Sequence, residues 1–251
     1  MLIGGQIRSL EDIGFLEALG FQLGEVSLRD KWTRNYWIES GVSNRGGLKL
    51  LMKAHGPQEG LPNDLSNLWD RYYPELKESV DTCAALAIDF LTIHLWMDAR
   101  FVQPDILRQK INILTALVSH GKDRGVRIGL ENLSECADDL EPVIRSVPNL
   151  AITLDLGHGQ LLTERNTCFD IIERLMGSIA HLHLHDNHGG SGVNDDEHLS
   201  VGTGSIDFSA ILSALVSHGY DGSMVLEVRK EDLELSAHRV WTILREIGQP
   251  D

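Results

Sequence analysis

The stretch Ala180–Phe208, AHLHLHDNHGGSGVNDDEHLSVGTGSIDF, decides how the rest of the chain is read. Successive side chains of an extended segment point to opposite sides, so His181, His183 and His185 share one face and Leu182 and Leu184 the other. The leucines call for a core; the histidines face whatever lies opposite. Asp186, His188, Asp196 and His198 follow in a glycine-rich loop that can fold back over the strand end. Imidazoles and carboxylates at this density point to a transition metal more than to packing.

Outward from this segment, strand-like and helix-like patterns alternate along the chain. Leu2 to Ile7 reads as a strand, and Ser9 caps a helical pattern (Leu10, Ile13, Leu16, Leu19) with Asp12 as capping-box partner and Gly20 as stop. Further strands are expected over Phe21 to Leu28, Lys49 to His55, Phe90 to His94, Val126 to Glu131, Ala151 to Leu156, Ile179 to His185 and Met224 to Val228. Helices are expected over Ser66 to Ala87, disturbed at Pro74, and from Pro104 to about Arg124. Others run over Asp138 to about Arg145, Asn166 to Met176, Asp207 to Ser217 and Glu231 to Ile247. The stretch between the second and third strands is less regular. Eight strands alternating with about eight helices, without a linker or low-complexity break, imply one domain, a single (β/α)8 TIM barrel of the α/β class. A doubly wound open sheet is the alternative, but no strand is followed by its glycine-rich dinucleotide fingerprint.

A barrel places functional groups at the C-terminal ends of its strands. Six strands here end on such groups: His55, His94, Glu131, Asp155, His183 and Glu227. Their neighbours Ala54, Ile93, Leu130, Leu154, Leu182, Leu184 and Leu226 are small or aliphatic, as the helix-facing side requires. A single strand-end Glu or His is more often a satisfied polar residue than a ligand; six at equivalent positions weigh against that reading. Three carboxylates converging on one cavity would repel one another unless a cation stood between them. Mixed imidazole and carboxylate donors suit Zn, Mn, Co or Fe better than Ca.

The ordered set GLEN (129–132), TLDLGH (153–158), HLHLHDN (181–187), DEHLSVGTGSIDF (196–208) and VLEV (225–228) resembles the xylose isomerase-like TIM-barrel superfamily. That group includes sugar phosphate isomerases and epimerases and type IV apurinic-site endonucleases. In the epimerase branch, the resemblance implies one divalent metal on Glu131, Asp155, His183 and Glu227. Glu131 and Glu227 would also exchange protons with the substrate, and His158 would bind a substrate hydroxyl. The sequence departs from that branch at Gly189, where an arginine is expected. In the endonuclease branch, the resemblance implies three zinc ions: one on His55, His94 and Glu131, a second on Glu131, Asp155, His183 and Glu227, and a third on His158, Asp196 and His198. The implied cofactor is therefore one to three divalent ions.

Charge discriminates between the branches. The net charge is −15, from 22 Lys and Arg against 37 Asp and Glu, a poor balance for gripping nucleic acid or an anionic membrane. Residues 29 to 53 nevertheless hold Arg29, Lys31, Arg34, Arg45, Lys49 and Lys53 against Asp30 and Glu39, with Trp32, Tyr36 and Trp37 available as a stacking wall. Such a segment serves a sugar or sugar phosphate without requiring DNA, so a small-molecule isomerase or epimerase is favoured over a multinuclear phosphodiesterase. A barrel that merely binds metal or a polyol is the third reading.

Asn132 and Asp186 are expected to touch substrate or to orient metal ligands, and His185, one step farther out than His183, to meet substrate or solvent rather than to ligate. His181 is expected as a core histidine, and His120, His218 and His238 as surface residues on helices. His188 could close over the substrate, and GTGS (202–205) could cradle a phosphate at a helix N-terminus. Cys83, Cys136 and Cys168 are odd in number and lack CxxC spacing, which suggests neither a disulfide framework nor a thiolate site. With neither a signal segment nor a long apolar run, a cytoplasmic location is expected. Long outer helices leave room for homo-oligomer packing.

Overall fold

The computed structural model describes residues 1–42, 50–192 and 194–248. Among them, eight parallel strands close into a barrel in sequence order, β1 pairing with both β2 and β8. The strands are β1 (Leu2–Ile7), β2 (Leu23–Ser27), β3 (Leu51–His55), β4 (Phe90–His94), β5 (Arg127–Glu131), β6 (Ala151–Asp155), β7 (Ile179–Leu184) and β8 (Ser223–Leu226). Outside them lie α1 (Leu10–Ala18), α2 (Lys31–Glu39), α3 (Tyr73–Ala85), α4 (Pro104–Lys122), α5 (Ala137–Ser146), α6 (Cys168–Leu175), α7 (Phe208–Ser217) and α8 (Leu233–Glu246). The expected (β/α)8 barrel is the fold.

Alternation along each strand divides the residues between two compartments. Ala54, Ile93, Leu130, Leu154, Leu182, Leu184 and Leu226 are wholly buried between the strands and the helices. Each larger side chain in that shell contributes roughly 1.5–3 kcal/mol by leaving water. The opposite face lines the barrel interior and is unusually polar. Thr92 and Thr153 share a hydrogen bond of 2.9 Å, and His181 lies beside Ser223 at 2.8 Å. His181 is the interior histidine expected of it, bonded through Nδ1, while its Nε2 is buried without a hydrogen bond.

Two local features depart from expectation. Residues 31–39, read as irregular, form α2, because Asp30 caps it by accepting from the Thr33 backbone N–H at 2.8 Å. Only Arg34 and Trp37 of this helix are buried, too little for a clear apolar period. The helix expected from Ser66 begins instead as a widened turn over Asn67–Tyr72, with the Tyr73 N–H bonded to the Leu68 carbonyl, and becomes regular at α3. Pro74 explains this, since its ring cannot accept the normal i→i−4 arrangement behind it. The Ser9–Asp12 capping box forms as expected, with Asp12 accepting from the Ser9 N–H at 2.9 Å. No helix among the described residues is long and apolar enough to cross a membrane.

Candidate metal centre

Strand register carries the strand-end residues to one mouth. His94 pairs with Glu131, Asp155 pairs with His183, and His55 lies level with Ser27. Glu227 follows β8 and donates its N–H to the Leu184 carbonyl at 2.9 Å, which brings its side chain beside His183. The mouth opens into a cavity of about 1260 Å³ bordered by His55, His94, His158, Asp196, His198 and Glu227. Glu131, Asp155 and His183 are in contact with these lining residues and are themselves wholly buried.

Glu131 is the hub. Its Oε2 lies 3.1 Å from His55 Nε2 and 2.8 Å from His94 Nε2, and its Oε1 lies 2.9 Å from His183 Nδ1. The same His183 nitrogen stands 3.4 Å from Glu227 and 3.9 Å from Asp155. Farther out, His158 Nε2 and His198 Nε2 flank Asp196 Oδ2 at 3.5 and 3.4 Å. The nine residues implied as ligands therefore meet as contiguous groups.

The electrostatics follow from this crowding. Burial opposes charge on both partner types, but mutual attraction outweighs it. Glu131 is held well below the usual carboxylate range by His183 and His94. His183 and His158 are pushed well above ordinary histidine values by the facing carboxylates. His55 and His198 each rise to about 9, chiefly against Glu131 and Asp196 respectively.

Residues 17–246 match the family described as xylose isomerase-like TIM barrel. The chain belongs to that family. Among its relatives, an inosose isomerase of Halalkalibacterium halodurans is 26% identical over 177 residues, covering 65% of this chain and 61% of that protein. The chain spans 55–61% of the length of curated relatives that it matches. A crystal structure of a D-tagatose 3-epimerase-like protein superposes with a TM-score of 0.79 at 23% identity, over 98% of both chains. A Thermus thermophilus protein soaked with ZnCl2 superposes at 0.76 and 22% identity, over 98% of this chain and 99% of that one.

The donor set of this xylose isomerase-like barrel fits divalent ions. Donor atoms of His55, His94 and Glu131 lie within 4.8 Å of one another, as do those of His55, His183 and Glu227. A further pair of groups, Asp155 with His158 and His185, and His185 with Asp196 and His198, meets the same limit. Buried polar atoms seldom go without partners. Here Asp155 Oδ2, Asp196 Oδ1 and both ring nitrogens of His185 are buried without a hydrogen bond. Donors left without partners beside one another are what a cation site looks like before the cation is added.

Several expected substrate contacts are used inside the protein instead. His185 is wholly buried rather than lying farther out toward solvent, and it stacks on His198 with centroids 4.0 Å apart. Gly157 makes room for it, since a Cβ there would fall 2.1 Å from the ring. Asn132 does not face the cavity: its amide exchanges hydrogen bonds with the Asp155 backbone at 2.8 and 3.0 Å, and its backbone carbonyl accepts from His158 Nδ1 at 3.0 Å. Asp186 is likewise withdrawn, its carboxylate accepting backbone N–H groups of Asn187, Gly202 and Gly204 at 2.9 Å and of Ile206 at 3.2 Å. Of the GTGS amides expected to cradle phosphate, those of Gly202 and Gly204 are therefore occupied by the protein's own anion, and those of Thr203 and Ser205 bond the Ser200 and Asn187 carbonyls. His198 is held with φ of 48°, a left-handed backbone uncommon outside glycine and frequent at functional sites.

The basic segment is also redistributed. Arg34 is buried and paired with Glu78 at 2.8 Å, Lys53 pairs with Asp89 at 2.8 Å, and Arg45 and Lys49 lie outside the described residues. Arg29 does border the cavity, joined there by Arg8, Arg229 and Lys230, which the sequence reading passed over. Of the aromatic wall, Trp32 is 84% exposed at the mouth, whereas Trp37 packs in the core with Nε1 donating to the Ser27 carbonyl. His188 points outward and bonds Glu197 at 2.8 Å. His218 and His238 are exposed, and His120 is half-buried against Asp81.

Sequence reasoning missed Glu25 of β2, which is 2% exposed and reaches His183 Nε2 at 3.2 Å. Its signal was a lone carboxylate within the otherwise uncharged stretch FQLGEVSL.

Proposed function

We propose that this chain is a metal-dependent isomerase or epimerase of sugars or sugar phosphates, with Glu131 and Glu227 as the acid/base pair. The observation that carries the reading is the convergence of these two glutamates, three strands apart in the barrel, on one nitrogen of His183 at 2.9 and 3.4 Å. Glu131, Asp155, His183 and Glu227 would hold a divalent ion of the Zn, Mn, Co or Fe type, which when bound polarises carbonyl and hydroxyl oxygens.

The rest is the work of the residues themselves. One glutamate takes a proton from the carbon beside the carbonyl, and the other returns a proton to the opposite side. Gln6 donates its amide N–H to Glu227 Oε1 at 2.9 Å, which orients that carboxylate and leaves Oε2 as the proton acceptor. His158 has Nδ1 committed to the Asn132 carbonyl, so Nε2 is the atom presented to Asp196 and the cavity. Arg8, bonded to Gln6 Oε1 at 3.1 Å, places a guanidinium one side chain away from Glu227. Together with Arg29 and Arg229 it can receive the phosphate of a sugar phosphate, Lys230 at the same rim being paired with Asp12 at 2.6 Å. The cations stand on the β1, β2 and β8 side, which accords with the Asp186 carboxylate filling the loop after β7.

A multinuclear hydrolase of phosphate esters is the second reading, favoured by the partnerless donors of Asp155, His185 and Asp196. Deuterium exchange separates the two. Chain loaded with Mn2+ and offered a panel of ketoses and ketose phosphates in deuterated water should exchange the proton beside the carbonyl. Glu227→Gln should slow that exchange by roughly 100-fold or more while retaining metal. Exchange that persists in the variant overturns the acid/base assignment. Hydrolysis of bis(p-nitrophenyl) phosphate without exchange favours the second reading.

A further inference from the structure

Glu25 sits in the middle of β2, below the level of His55 and Glu131, where a barrel is ordinarily filled by apolar side chains. A buried carboxylate gives up its hydration, so an aliphatic side chain would fill this layer more readily. Its contacts account for it. Glu25 Oε2 stands 3.2 Å from His183 Nε2 and 3.5 Å from His181 Nε2. His181 is itself fixed from the other side, its Nδ1 lying 2.8 Å from the Ser223 hydroxyl.

A carboxylate offers only acceptors here, so the ring nitrogen that bonds it carries the hydrogen. Glu25 therefore holds a proton on Nε2 of His183 and turns Nδ1, where a metal would take the place of the second proton, toward Glu131, Glu227 and Asp155. We infer that Glu25 is a positioning residue that sets the tautomer and ring orientation of His183 and strengthens Nδ1 as a donor to the metal. This rests on the reading of His183 as a metal ligand, though not on the sugar chemistry proposed above. Gln6 and Glu25 thus divide the orientation of the centre between them: one holds Glu227 from β1, the other holds His183 from β2.

The test measures metal affinity rather than turnover. Full-length wild type, Glu25→Leu and Glu25→Gln are stripped with chelator and titrated with Mn2+ alone by calorimetry and electron paramagnetic resonance. Glu25→Leu should bind roughly 10- to 100-fold more weakly with the number of ions unchanged. Glu25→Gln can still accept through its amide oxygen but lacks the charge, and should lose roughly tenfold. Nitrogen-15 spectra of chains loaded with diamagnetic Zn2+ give a second readout. His183 should keep hydrogen on Nε2 in wild type and Glu25→Gln, and become a mixture of forms in Glu25→Leu.

Should Glu25→Leu fail to fold, Glu25→Gln decides alone, and affinity within about twofold of wild type overturns the inference. So does unchanged affinity in a folded Glu25→Leu. The loss of one ion from the count also overturns it, since Glu25 would then be a ligand itself with His181 and His183, whose donors lie close enough. Wild type that binds Mn2+ through a Glu25-dependent site yet exchanges no ketose proton refutes the sugar reading and leaves this one standing.

Discussion

Asp186→Asn separates a loop anchor from a substrate contact more sharply than any change at the metal centre. The Asp186 carboxylate is wholly buried and divides its bonds evenly: Oδ1 accepts from Asn187 and Ile206, and Oδ2 from Gly202 and Gly204. An amide keeps one oxygen. Its NH2 would then meet the N–H groups of one of these two pairs, so two charge-assisted bonds are lost and donors face donors. At roughly 1.5–3 kcal/mol for each bond to a charged group, with some relief from local movement, the cost is about 4 kcal/mol. For a chain of this size that lowers the melting temperature by roughly 8–16 °C. The loop between Asp186 and Ile206 also carries Asp196 and His198, so the outer donor group should loosen with it. Calorimetry of the metal-free variant, followed by zinc counting on the loaded one, reads both effects. A variant that melts within about 2 °C of wild type and binds sugar or phosphate more weakly would refute the anchoring role and restore Asp186 to the substrate.

Gly157→Ala should crowd the His185 ring, because the added Cβ would lie 2.1 Å from it; overpacking of this kind typically costs about 1–3 kcal/mol. Metal should be lost from the outer group while the group around Glu131 keeps its ion, and a full complement of tightly bound metal would contradict this. A different site supplies the pH dependence. Burial alone would raise the Asp98 carboxyl, but hydrogen bonds from Arg100 and Ser134, the latter at 2.7 Å, hold it below its ordinary 3.8. A group whose value is depressed on folding stabilises fully above its unfolded value and loses that contribution as pH falls through the folded one. Asp98→Asn should therefore cost about 1.5–3 kcal/mol at pH 7 and flatten the fall in stability below about pH 4. Urea melts at pH 7 and pH 3 that differ equally for both chains would count against it.

The barrel and its inner donor group were legible because one geometric rule serves every strand: inward-facing residues at the C-terminal edge of the parallel strands share one mouth. Glu131, Asp155, His183 and Glu227 could be picked from residue type and strand end alone. Glu25 escaped that rule by standing two residues before the end of β2, a layer lower, where the rule places no catalytic group. Helix α2 escaped because its sequence shows capping by Asp30 and Thr33 but almost no apolar period.

The loop after β7 was harder for a physical reason. In a segment dense in His and Asp, residue type does not say which side chains serve the scaffold, and by type alone His185 and Asp186 both read as substrate contacts. Their partners reveal the difference, and those partners are backbone amides or rings many positions away, with no side-chain signature of their own. Glycines nevertheless mark both places. Gly157 leaves the space that the His185 ring fills, and Gly204 lets backbone approach Asp186, where a Cβ would come within 2.4 Å of its Oδ1. A Gly opposite an ionisable residue records that the residue points inward against the chain. By that criterion GTGS described the seat of a carboxylate belonging to the protein, and the search for a phosphate site moves to the cations of β1, β2 and β8, where Arg8 is bonded to the glutamine that orients Glu227.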